Sequence, residues 1–101
     1  MIYNHELILV DNLITKDSIG QGIKTEILTT VFCGVKSIMR NEHYAAATVG
    51  LKPSIIFVIH HYEYNGQLKA KFEGKEYKVI RTYATSIEEI ELVCERVGSN
   101  G

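Results

Sequence analysis

The chain has 101 residues, 46% of them hydrophobic, with one proline, a composition unlike that of disordered sequences and a length sufficient to bury a core. Eleven basic residues against 12 acidic ones leave a formal net charge of -1, so bulk charge supplies no general attraction to nucleic acid or an anionic membrane. The longest uninterrupted apolar run, Ile55–Ile59, falls far short of the roughly 20 residues a membrane helix needs, and Met1–Glu6 lacks the basic-then-apolar pattern of a secretory signal.

Taken in chain order, the first strand is expected over Glu6–Ile14, with the turn-favouring pair Asp11-Asn12 marking a kink, bulge or strand end. Lys16–Gly22 reads as a polar loop carrying Ser18, Gly20 and Gly22, the first candidate hinge or contact loop. Lys24–Met39 then alternates over a long distance: Ile27, Thr29, Val31, Cys33 and Val35 fall on one face, Leu28, Thr30 and Phe32 on the other. Gly34 is the expected place for a bend.

A short helix is expected over Asn41–Leu51, with Asn41 as its cap, Glu42 at the positive end of its dipole and three alanines favouring it. Pro53 ends it. Ser54–Tyr62 is apolar on both faces, the mark of a strand covered on both sides. Tyr64-Asn65-Gly66 carries the Asn-Gly hairpin signal. Strands are expected over Leu68–Glu73, Glu76–Ala84 and Ile87–Val97, with a turn at Gly74-Lys75. The sum is a mostly β fold, a small antiparallel barrel or sandwich with one short inserted α-helix, occupying residues 1–97 as a single domain before a flexible tail at 98–101. Its expected core is Ile27, Val31, Cys33, Val35, Phe57, Ile59, Tyr77, Val79, Ile90 and Leu92.

The residues that could carry chemistry give weak patterns. His60 and His61 are adjacent in a strand and point to opposite faces, which is unsuited to one metal ion. Cys33 and Cys94 lie inside strand patterns, where thiols pack as small hydrophobes and stay reduced. Glu88, Glu89 and Glu91 read as a solvated or interface face rather than paired acid–base carboxylates. No phosphate-binding loop, nucleophile elbow or zinc-protease motif occurs, so neither enzyme activity nor any cofactor or metal is expected. Lys69, Lys71, Lys75, Lys78 and Arg81, interleaved with Phe72, Tyr77 and Tyr83, would suit an OB-like single-stranded nucleic-acid binder, although Glu73 and Glu76 dilute that charge.

Three segments in order carry a resemblance: the strand Val31-Phe32-Cys33-Gly34-Val35-Lys36-Ser37-Ile38, the helix Glu42-His43-Tyr44-Ala45-Ala46-Ala47, and the turn and strand Gly74-Lys75-Glu76-Tyr77-Lys78-Val79. Together they resemble the head-tail joining proteins (head-closure or head-completion connectors) of tailed phages and prophages, with Gly34 standing where that pattern has alanine. The resemblance implies a structural subunit of the virion, made in the bacterial host cytoplasm. Its subunits would form a ring, a dodecamer, beneath the portal or adaptor, with double-stranded DNA passing through the channel and a tail terminator or completion protein docking below. It also directs attention to Glu42, Tyr44, Ala47 and Leu51 in the inserted segment as interaction residues, to which the two turn-rich loops add Ser18, Gly20 and Gly22 in the first and Tyr64, Asn65 and Gly66 in the second.

Overall fold

The structure is a computed structural model in which residues 2–37 and 54–98 are described. Six strands, β1 (His5–Lys16), β2 (Gly22–Lys36), β3 (Ile55–His60), β4 (Lys69–Phe72), β5 (Lys75–Ala84) and β6 (Glu89–Arg96), close into an antiparallel barrel in the order β1-β2-β3-β6-β5-β4. The expected mostly β barrel is therefore the observed fold. The helix expected over Asn41–Leu51 lies outside the described residues; among those described the only helical element is a single 3-10 turn, His61–Glu63.

Alternation builds the core. Residues one apart on a strand face opposite ways, and in β3 both sets are covered. Phe57 and Ile59 point inward with Leu7, Leu9, Val31, Cys33, Tyr77, Ile90, Leu92 and Cys94. Ile56 and Val58 join Val93 in a second buried cluster on the opposite face, with Tyr3 and Ile80 packed against it. Phe57 is the hub of the interior: its ring lies 4.9 Å from that of Phe72 and 5.5 Å, edge-on, from that of Tyr77, the tilted arrangements that aromatic quadrupoles favour.

Three expectations are corrected. Asp11-Asn12 does not interrupt β1, which pairs with β2 in unbroken register from His5↔Cys33 to Lys16↔Gly22. The Asn65-Gly66 segment is not a hairpin, because both edges of β3 are occupied by β2 and β6 and the chain must cross to the far side of the barrel before β4 begins. Ile27 and Val35 are not core: they are 44% and 37% exposed. Ile27 shares a face with Val31 yet sits past the end of the barrel, where the interior no longer exists. Gly34 is the residue at which β2 hands over from β1 to β3, pairing with Val58 immediately after Cys33 pairs with His5.

Phe57→Ala should cost about 3–5 kcal/mol of unfolding free energy, whereas Ile27→Ala should cost less than about 1 kcal/mol. Urea titrations of the two variants measure both. Equal losses would mean that the inside of the barrel has been assigned incorrectly.

Candidate functional site

Length mismatch between strands creates the most distinctive surface. β1 and β2 run 12 and 15 residues, but β4 meets β1 only at Ile8–Val10 and β3 meets β2 only at Gly34–Lys36. Beyond these seams, among the described residues, the two strands pair only with each other. Residues Asp11–Lys16 paired with Gly22–Ile27 form a two-stranded arm, about 20 Å long at the usual strand rise, on a molecule 51 Å in its longest dimension.

The register sorts its side chains. Opposed residues share a face, so Asp11, Leu13 and Thr15 lie with Ile23, Thr25 and Ile27, continuing the face that holds Leu7 and Leu9 in the barrel. Leu13, Ile23 and Ile27 are each nearly half exposed there. The other face carries Asn12, Ile14, Lys16, Lys24, Glu26 and Leu28, with Ile14 and Leu28 more exposed still. Every residue from Asp11 to Lys16 and from Gln21 to Thr30 is exposed, and none of the other described residues covers the arm.

The tip is tightly built. Asp17 Oδ1 accepts hydrogen bonds from the Ile19 and Gln21 amides, at 3.0 and 2.9 Å, and the Asp17 carbonyl accepts from the Gly20 amide at 3.1 Å. Gly20 sits at φ +85°, a conformation that suits glycine, as in a three-residue hairpin loop. The segment expected as a hinge is thus a closed turn, with Ser18 and Gly20 inside it, Gly22 opening β2, and Ile19 projecting at 75% exposure.

The second expected loop is also tied down. Tyr64 packs against the core and donates its hydroxyl to the Gln67 carbonyl at 2.7 Å, while Gln67, the one buried polar side chain among the described residues, accepts from the Asn65 amide at 2.8 Å. Burial raises the Tyr64 phenol above its ordinary value. Gly66, at φ +81°, completes the turn between them. Glu42, Tyr44, Ala47 and Leu51 lie outside the described residues.

Polar groups elsewhere form structural contacts. Lys36 Nζ bonds Glu91 Oε2 at 2.7 Å across the seam, and the Tyr3 hydroxyl donates to Glu89 Oε2 while its ring stacks on His60 at 4.2 Å. His60 in turn lies 3.4 Å from Glu63. Glu89 and Glu91 thus face outward, as expected, and each is engaged. No group of three or more potential metal ligands occurs among the described residues. Phe72 and Tyr77, two of the three aromatics that single-strand binding would use for stacking, are buried in the core. No helix among the described residues is long and apolar enough to cross a membrane.

The chain matches no known protein-family model and no curated protein. The reading of function rests on its own residues. The arm follows from a length mismatch that the expected strand bounds did not carry: β1 and β2 run 12 and 15 residues, whereas β4 and β3 run 4 and 6.

Both cysteines are buried and free. Burial pushes the Cys33 thiol up to about 11 and the Cys94 thiol up to about 12, from an ordinary 9.0. The hydrogen bond to Glu89, then burial and the nearby Glu89 and Glu88 charges, raise the Tyr3 phenol from 10.0 to about 12. The folded chain holds all three protons more tightly than the unfolded chain, so deprotonation favours unfolding: the stability they supply is complete below about pH 9 and falls as pH rises towards about 12. The urea midpoint should therefore decline steadily across that interval, and a Cys33→Ala/Cys94→Ala variant should show a shallower decline.

Proposed function

We propose that this chain is a structural connector subunit of a tailed phage or prophage, acting by assembly rather than by catalysis and needing no cofactor. The observation that supports it best is the projecting β1–β2 arm. A two-stranded ribbon is marginally stable by itself in water, and one that leaves Leu13, Ile14, Ile23, Ile27 and Leu28 uncovered is suited to a surface on another molecule. An arm on one side of a barrel that seats against a different surface of the next barrel makes a head-to-tail contact, and repeated head-to-tail contacts close into a ring where the rotation between neighbours closes.

In this reading the subunits form the ring, a dodecamer, beneath the portal or adaptor. The ring extends or closes the channel for double-stranded DNA and offers its lower surface to the tail terminator or completion protein. The near-neutral charge suits such a passage, since a strongly basic lumen would grip phosphates and impede movement. The competing single-strand binder is disfavoured because Phe72 and Tyr77 pack against Phe57 within the core and are not on the surface.

Negative-stain imaging of the purified chain, alone and mixed with a portal–adaptor complex, should give rings of fixed symmetry. A Leu13→Ser/Ile27→Ser variant should keep the barrel's circular dichroism and urea midpoint within about 1 kcal/mol of the parent while losing most ring formation. Rings formed equally well by that variant would remove the arm from the assembly contact. A chain that forms no ring and instead retains single-stranded DNA with a steep salt dependence would overturn the reading.

A further inference from the structure

The arm has an open edge as well as an open face. β2 is paired with β1 along its whole length up to Cys33 but with β3 only from Gly34 onward, so among the described residues nothing bonds the other edge of Gly22–Cys33. Unpaired edges recruit further strands unless they are short, bulged, proline-bearing or heavily charged. Along this edge there is no proline, its register with β1 has no bulge, and charge is confined to Lys24 and Glu26.

We propose that this edge pairs antiparallel with the same edge of a second copy, on a two-fold axis at Thr25. Placing Thr25 opposite Thr25 of the second copy brings Lys24 opposite the other copy's Glu26, and Glu26 opposite its Lys24. The same register sets Ile23 against Ile27 and Gly22 against Leu28, in both directions. Threonine pairs, opposite charges and β-branched apolar pairs are the cross-strand combinations that stabilise antiparallel sheets. Other two-fold registers lose this match: an axis at Lys24 or Glu26 sets like charges against each other. The pair is isologous, with each copy offering the same surface.

Pairing also remedies the arm's marginal stability. Two isolated ribbons become one four-stranded sheet, β1-β2 of one copy joined to β2-β1 of the other, and three or more strands with an apolar face can hold together where two cannot. Leu13, Ile23 and Ile27 from each copy then lie on one continuous face. The interaction is one of free subunits with each other. It is independent of the ring reading, because a head-to-tail ring uses a different, non-self-complementary contact.

Sedimentation velocity of the purified full chain over a concentration series measures this directly. The parent should show a monomer–dimer equilibrium. Lys24→Glu and Glu26→Lys, each of which converts both attractive pairs to repulsive ones, should weaken dimerisation by about tenfold or more. The double exchange Lys24→Glu/Glu26→Lys should restore it, and mixing the two single variants should restore it as a heterodimer. Within the arm Lys24 faces Ile14 and Glu26 faces Asn12, so neither change breaks a cross-strand charge pair inside the chain, and circular dichroism should be unaltered. A chain that stays monomeric at the highest concentration, single variants that dimerise like the parent, or a double exchange that fails to restore the dimer would each overturn the pairing.

Discussion

Closure of the barrel through two short seams governs the molecule. Three residue pairs join β2 to β3 and three join β1 to β4, and everything on β1 and β2 beyond them is left outside. The barrel below the seams is held by a dense interior around Phe57, whereas the arm above them has one layer of backbone hydrogen bonds and, among the described residues, no core. The same two strands therefore belong to two regions of different stability. Such a division suits a protein that carries a rigid body to its place and uses a softer element to make contact.

The alternation visible in the sequence specified which residues share a face but not how far the barrel extends. Val31, Cys33, Phe57, Ile59, Tyr77, Val79, Ile90 and Leu92 are buried as their period-2 pattern indicates. Ile27 obeys the same pattern and is exposed, because a face is interior only where a second sheet layer lies across from it, and that depends on pairings made by other strands. Val35 fails for a related reason at the opposite end. The turn at Gly74 was legible because its φ of +76° is a conformation glycine adopts without strain, and the turn at Asn65-Gly66 was misread because a local hairpin signal cannot report that both edges of the preceding strand are already taken.

The candidate site was only partly legible. Ser18, Gly20 and Gly22 all lie at the arm's tip, but the tip is a closed turn, and nothing in the pattern of the exposed apolar residues flanking it shows that their strands project. Tyr64 is a different case: its aromatic ring and the turn residues after it suggested a contact loop, and the ring instead packs on the barrel core with its hydroxyl bonded to the Gln67 carbonyl. On β4 and β5, Lys69, Lys71 and Lys78 lie on the face opposite Phe72 and Tyr77, while Lys75 shares the aromatics' face and is exposed only because it sits at the strand end.

The central claim is that the arm is the part of this chain whose stability depends on partners. Hydrogen exchange measured residue by residue, first on the dilute chain and then on the assembled form, tests it most directly. Amides of residues 11–16 and 22–28 should exchange far faster than those of Phe57 and Leu92 when the chain is alone, and should gain protection on assembly while the barrel changes little. Arm amides as protected in the dilute chain as those of the barrel, and unchanged on assembly, would contradict it.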